Sequence, residues 1–232
     1  MSALNTRATL DLRVNMLKPS ADHVKDVLAA QGVETLPTTI SPWGLRSLGH
    51  QRIDHLKAMQ DGLVEVQDEG SQLLAQLAQP SEPGLVIDAC AGAGGKALAL
   101  VDRLPADAPL LALDIGASRL ERLGERARRA GTRRQIRTQV IPADAAADSI
   151  LSQWSNQAQT VLVDAPCSGL GTLRRAPDLL WRFDTAHLPE ITSLQGTLLG
   201  RFAPLVRRGG FLVYGTCSVL TAENQDVVHK FL

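Results

Sequence analysis

The sequence predicts an α/β protein built on a doubly wound, Rossmann-like parallel sheet, with a small, partial α+β piece in front of it. Three observations carry this. From Val64 onward, short apolar runs alternate with amphipathic stretches at the spacing of strand–helix units. A glycine-rich turn, Asp88-Ala89-Cys90-Ala91-Gly92-Ala93-Gly94-Gly95-Lys96-Ala97, joins the first of these runs to a helix. The later runs end on an aspartate or lead into a cysteine. In an open parallel sheet those strand ends line the ligand crevice.

The elements follow in order. Residues 1–63 form the partial piece and residues 64–232 the larger unit. Residues 10–15 alternate as a short strand. Residues 21–31 carry Val24, Val27, Leu28 and Ala30 at helical spacing, with Ser20 as N-cap and Gly32 as stop. Pro37 and Pro42 bracket a loop. In the larger unit, residues 85–87 are a buried strand and 96–104 a helix. Residues 110–113 are a second strand, closed by Asp114. Residues 118–130 are an amphipathic helix with Leu120 and Leu123 inward and arginines outward. Residues 139–141 are a third strand leading to Asp144, and 160–163 a fourth leading to Asp164. A long helix spans 188–206 and ends at Arg207-Arg208-Gly209-Gly210. Residues 211–214 are a fifth strand, and Thr221 opens the last helix.

Composition narrows the class. Apolar residues make up 44% of the 232 and charged residues 21%, which is a globular balance. The net charge of zero argues against a chain coated in positive charge but allows a local basic face. No apolar run has the length of a membrane span. The stretch Thr6-Arg7-Ala8-Thr9-Leu10-Asp11 is mixed and polar, unlike a signal peptide. The three cysteines lack C-x-x-C spacing, and the five histidines pair with no cysteine or carboxylate at ligand spacing. No metal is expected. A reducing cytoplasm, with free thiols, is the simplest setting.

The glycine turn allows a sharp bend and a close backbone approach at a helix N-terminus. Gly92, Gly94 and Ala97 satisfy G-x-G-x-x-A, a weak pattern that a ligand-free turn would also satisfy. Asp114, Asp144 and Asp164 add weight, because all three follow consecutive strands and face one crevice. A strand-end carboxylate can accept both hydroxyls of a ribose. The site fits an adenosine-containing cofactor, and at this point NAD and S-adenosylmethionine both qualify.

Two further motifs bear on that choice. Asp164-Ala165-Pro166-Cys167-Ser168-Gly169 follows the fourth strand. Gly215-Thr216-Cys217-Ser218, with Glu223-Asn224 after it, follows the fifth. Together with the glycine turn they closely resemble the signature motifs of the RNA cytosine-5 methyltransferases, over residues 64–232. Leu12-Arg13-Val14-Asn15, Val66-Gln67-Asp68 and Arg174-Arg175-Ala176-Pro177-Asp178 look most like the bacterial B-type (Sun/Fmu-type) enzymes of 16S ribosomal RNA.

The resemblance implies a class I methyltransferase sheet, S-adenosylmethionine as cofactor and RNA as partner. It implies cofactor contacts from Cys90, Ala91, Gly92, Ala93, Gly94, Gly95, Lys96, Asp114, Asp144 and Asp164. Cys217 is implied as the nucleophile that adds to cytosine C6, and Cys167 as the thiol that assists product release. DNA cytosine methyltransferases attack with a Pro-Cys thiol, so the choice of Cys217 rests on the Thr-Cys-Ser motif. Asp164 is expected at the N3/N4 edge of the base. Lys96 either places positive charge near the base or a phosphate, or stands in water at the cap. Cys90 is expected as a small turn residue, not a third reactive thiol.

RNA contacts are expected from Arg174, Arg175 and Arg182, beside the chemistry. Arg126, Arg128, Arg129, Arg133, Arg134 and Arg137 read as a solvated face complementing a helix dipole. Trp181 fits either a stacked base or a core position beside Leu179 and Leu180. The partial piece is expected to bind RNA or link domains.

Two departures from the family pattern stand out. Ala93 occupies a position where proline is usual, which implies a more flexible loop. The family sheet normally ends in a further antiparallel hairpin, and B-type enzymes carry an N-terminal NusB-like domain. The chain is therefore expected to be a fragment, truncated at its C-terminus. Two rival readings remain. An NAD-dependent oxidoreductase explains the glycine turn and Asp114 but gives the thiols no role. A non-catalytic RNA-binding scaffold fits truncation and Ala93.

Overall fold

The computed structural model describes residues 6–18, 20–49, 51–80, 82–105 and 108–232. Two sheets organise it. The first is antiparallel and contains β1 (Asp11–Val14), β2 (Thr35–Pro37), β3 (Gly44–Ser47) and β4 (Val64–Val66), in the order β2-β3-β1-β4. Helices α1 (Ala21–Ala30) and α2 (Lys57–Gln60) cover it. Leu12, Val14, Val24, Leu28, Leu45 and Val64 form its core. The Ser20 hydroxyl caps α1, and Gly32, with φ +79°, follows its end. Val64, where the sequence pattern changes, pairs with β1 and so falls in this first sheet.

After α3 (Glu69–Leu77), the second sheet begins. It holds β5 (Leu85–Asp88), β6 (Leu110–Asp114), β7 (Ile136–Val140), β8 (Ala158–Asp164) and β9 (Val206–Gly215). All neighbours are parallel, in the order β7-β6-β5-β8-β9. The chain winds outward from β5 to β7, then returns to lay β8 on the other side of β5. The strand order thus reverses beside β5, where such sheets bind ligands. Helices α3, α4 (Gly95–Val101) and α5 (Ala117–Ala130) cover one face, with Val86, Leu98, Leu110 and Leu123 in the shared core. Helices α6 (Ala146–Leu151) and α8 (Leu188–Phe202) cover the other, around Ile87, Leu113, Val163 and Phe202. Val86 and Ile87 serve opposite faces, as the two-residue period of a strand requires. Short α7 (Leu179–Arg182) and terminal α9 (Gln225–Phe231) complete the larger unit.

Several boundaries differ from the sequence reading. The long helix stops at Phe202, not at residue 206. Pro204 cannot continue an α-helix, so Ala203–Leu205 makes one tight turn. Arg207 to Gly210, read as a helix end, lie inside β9. A Cβ on Gly210 would sit 2.8 Å from the Gln159 carbonyl, so the strand needs glycine there to stay against β8. The third strand runs over 136–140 rather than 139–141. As an edge strand it has mostly exposed residues and no apolar run to reveal it. Pro37, read as loop, ends β2 at a sheet edge, where its missing N–H costs nothing.

Buried polar groups join the units. Arg13 of β1 donates to Gln67 Oε1 at 2.7 Å and pairs with Asp102 at the end of α4. The Asn15 amide donates to the carbonyls of Gly62 and Ala130, at 2.9 Å each. Glu65 of β4 receives Arg126 at 2.9 Å and Arg129 at 2.5 Å, both from α5. Two members of the arginine cluster read as a solvated face therefore turn inward onto a buried carboxylate. Helical periodicity showed the polar face but not the first sheet, whose Glu65 meets it.

Candidate functional site

The register of two strands builds the site. β8 and β9 pair with Val163 opposite Tyr214 and Asp164 opposite Gly215. The Ala165 amide continues the ladder to Gly215 O at 2.9 Å. Cys167 lies three residues past Asp164 and Cys217 two past Gly215, so both thiols leave adjacent strands at one end. Their sulfurs are 3.1 Å apart. The Gly171 amide donates to Cys217 O at 2.8 Å, and a Cβ on Gly171 would fall 2.6 Å from that oxygen. Only glycine lets the two loops approach this closely.

One negative charge suits this pair and two do not. The hydrogen bond with Cys217, foremost, holds Cys167 down to about 7. The amides of Gly169 and Cys217 assist, the latter reaching the sulfur at 3.3 Å. The same thiol–thiol bond, with burial and the charge on Cys167, pushes Cys217 up. When the pair carries one negative charge, that charge favours Cys167, with Cys217 as the S–H donor. Cys90 differs: burial, then the charge of Asp88, pushes its thiol up to about 12.

A crevice of about 460 Å³ opens where β5 and β8 end. Of the residues read as cofactor contacts, Cys90, Ala91, Gly92, Ala93, Gly95, Lys96 and Asp164 line it. Lys96 Nζ meets Asp164 Oδ2 at 2.5 Å, so the lysine is not a solvated cap residue. Gly94 has φ +86° at the N-cap of α4 and packs against Leu123. Asp114 acts on the loop itself, accepting from Gly92 N at 2.8 Å and Gly116 N at 2.7 Å. Arg119 Nε lies 3.4 Å from the same Oδ1 that accepts from Gly116. Asp144 is exposed in the turn after β7 and accepts from Ala146 N at 3.0 Å, at the same end of the sheet.

The crevice also holds residues the sequence reading passed over. Asp88, at the end of β5, is 1% exposed, and neither carboxylate oxygen has a partner in hydrogen-bond geometry. Burial, then the charge of Asp164, pushes it up to about 7 against the pull of Lys96. The Cys90 amide also favours its charged form, as would any cationic group that entered the crevice beside it. Arg126 donates to Ala93 O at 2.6 Å and is anchored on Glu65. Thr9, Leu10, Gln67 and Asp68 bring the first sheet and its junction to the crevice wall. Glycine and aspartate spacing marked the loop, but only the fold could show the distant side chains that reach it.

The arginines beside the thiols are all engaged within the chain. Arg174 donates to the carbonyls of Thr6 and Arg7, at 3.3 and 2.7 Å. Arg175 lines the crevice 3.5 Å from Asp68, and Arg182 pairs with Asp178 at 2.6 Å. Trp181 is 90% exposed, which excludes the core position considered for it. Among the described residues no cluster of histidine, cysteine and acidic side chains could hold a metal. No helix among them is long and apolar enough to cross a membrane.

Comparison with known proteins gives a consistent picture. A family model described as 16S rRNA methyltransferase RsmB/F matches residues 75–232. Ribosomal RNA small subunit methyltransferase B of Pasteurella multocida is 35% identical over 236 residues, covering 100% of this chain and 52% of the relative. The protein of that name from Xylella fastidiosa is 37% identical over 226 residues, covering 97% of this chain and 52% of its own. The chain thus spans about half the length of these curated relatives. Among solved structures, PH0851 superposes with a TM-score of 0.92 at 30% identity, covering 99% of this chain and 51% of that one. NSun6 from Pyrococcus horikoshii, solved with SFG, gives a TM-score of 0.86 at 20% identity, over 99% of this chain and 81% of that one. At that identity the likeness concerns the fold alone.

Proposed function

The chain belongs to the 16S rRNA methyltransferase RsmB/F family, and from that premise we propose that it methylates C5 of a cytosine in RNA, with 16S ribosomal RNA as the substrate its relatives' names point to. The observation that carries the chemistry is the pair of thiols 3.1 Å apart, just past the end of β8, whose Asp164 lines the crevice at the sheet's switch point. A ribosomal RNA substrate and free thiols fit a reducing, cytoplasmic setting.

S-adenosylmethionine, held by the loop from Cys90 to Lys96 with Asp114, Asp144, Asp164 and the unpartnered Asp88, would supply the methyl group as an electrophile. The residues fit such a ligand, because its sulfonium and ammonium charges complement the carboxylates of the crevice. Everything else is the work of this chain. Cytosine C5 is a poor nucleophile. The Cys217 sulfur adds to C6, forming an S–C6 bond, and the C5–C6 π electrons move into an enamine-like system that makes C5 nucleophilic. The proton Cys217 gives up passes to Cys167, already its hydrogen-bond partner. Asp164, steadied by Lys96, faces the N3/N4 edge and favours the protonated ring. After methylation C5 gives its proton to water, the C5–C6 double bond re-forms, and the S–C6 bond breaks, its electron pair returning to Cys217, which takes back the proton held by Cys167. Cys167 serves this release. The target base must leave any stack to reach the thiols, which favours single-stranded or loop RNA. Arg174, Arg175 and Arg182 are the phosphate contacts of this reading, exchanging an internal partner for RNA.

Transfer of tritium from methyl-labelled S-adenosylmethionine to 16S ribosomal RNA tests the proposal. Cys217→Ala should lose at least a thousandfold of the rate while cofactor affinity stays within a few-fold. Full activity in that variant, or binding of NAD in place of S-adenosylmethionine, would defeat the reading.

A further inference from the structure

Glu223 sits in the turn before α9, is 0% exposed, and belongs to no part of the chemistry above. Its carboxylate collects four donors. Ser168 gives its amide at 2.8 Å and also its hydroxyl. The Ser218 hydroxyl donates at 2.5 Å and the Gln195 side-chain amide at 3.1 Å. Ser168 follows Cys167 directly, and Ser218 follows Cys217. Gln195, from α8, donates as well to the carbonyl of Pro166, the residue before Cys167, at 3.0 Å. Asn224 fixes the second loop, donating to Ser218 O at 3.2 Å and accepting from Thr216 Oγ1 at 2.8 Å. Burial alone would raise the Glu223 pKa, but the serine and glutamine donors outweigh it and hold the group below the usual carboxylate range. It is therefore a charged acceptor at neutral pH, with no proton of its own to give.

We propose that Glu223 is a positioning residue that sets the separation of the two reactive sulfurs, by tying the loop behind Cys167 to the loop behind Cys217 through one carboxylate. Besides it, the loops are joined by the Gly171 amide on Cys217 O, by the contacts of the sulfurs themselves, and by the Ser168 and Ser218 hydroxyls, 3.2 Å apart where both meet this carboxylate. Two hydroxyls on one carboxylate give a short, charge-assisted link that an amide cannot reproduce. The inference rests on the reading of Cys167 and Cys217 as the working pair, but its geometry can be tested without methyl transfer.

The probe is phenylarsine oxide. Its arsenic forms two As–S bonds, and its oxygen leaves as water with both thiol protons, so tight binding needs two sulfurs at short range. The wild-type protein should bind one equivalent, and Cys167→Ala and Cys217→Ala should lose that affinity. Glu223→Gln should weaken binding at least tenfold and lower kcat with little change in KM for RNA. Ser218→Ala, which removes one tether and leaves the carboxylate its other donors, should weaken binding several-fold, and Ser218→Thr should restore it. Wild-type arsenical affinity in both Ser218→Ala and folded Glu223→Gln would overturn the proposal; if Glu223→Gln does not fold, the Ser218 pair decides alone. An intact arsenical pattern in a protein that transfers no methyl group would retain this inference and refute the proposed function.

Discussion

A thiolate is as stable as the donors around it, and Cys167 has the Cys217 sulfhydryl and two backbone amides. Its pKa of about 7, against 9.0 for an ordinary thiol, gives a sharp expectation. Well below pH 7 the pair is protonated, and the thiolate fraction grows through about 7 to a single thiolate well above it. Alkylation of Cys167 by iodoacetamide should therefore rise with pH around a midpoint of about 7. In Cys217→Ala the midpoint should move upward by about one unit, because the principal donor is gone. An unmoved midpoint would show that the amides alone hold the thiolate. Cys90 should stay unmodified in this range, since burial keeps it protonated. At this scale the sequence located the two thiols and Asp164, because strand ends and motif spacing are local properties. It could not show Glu223 gathering both cysteine loops. That contact depends on the packing of α8 and of the turn before α9.

The loop between β5 and α4 shows how one element is held by others. Ala93 stands where the resemblance expects proline, yet its carbonyl is fixed by Arg126 of α5, itself anchored on Glu65 of β4. A side-chain brace thus does what a rigid ring would do. A hydrogen bond to a charged group contributes about 1.5–3 kcal/mol. Arg126→Met should accordingly weaken S-adenosylhomocysteine binding about tenfold or more by calorimetry, and speed amide exchange in the loop. Unchanged affinity would mean that the loop needs no brace. Most strands and helices of the large sheet were legible as apolar runs and helical periods. Helix α3 was not, since Glu69-Gly70-Ser71-Gln72 gives no apolar stripe and one of its buried residues is a glutamine. Strands β2 and β3 escaped notice because they are only three and four residues long.

As a whole, the molecule behaves as two sheets locked by buried charge. The Arg13–Asp102 pair crosses the junction at side-chain exposures of 2% and 3%, and the Arg103 guanidinium lies 4.5 Å from the Trp43 ring centroid. Removing one member of a buried pair costs about 3–5 kcal/mol, because the other is left charged and dry. Arg13→Ala should lose about that much in urea unfolding, with Trp43 fluorescence and overall helicity changing in one transition. A loss below about 1 kcal/mol, or two separated transitions, would mean that the sheets are independent. The change of pattern along the chain falls at Val64, whose strand still pairs with β1. The junction was not legible, because it joins single polar residues far apart in sequence. Gln67, which accepts from Arg13, carries this junction to the crevice wall. The most direct measurement of the central claim is the covalent state of Cys167→Ala after incubation with 16S ribosomal RNA and S-adenosylmethionine. Mass spectrometry of the trapped protein should find a methylated cytosine attached through C6 to Cys217. Turnover with no adduct, or an adduct on any other residue, would contradict the account.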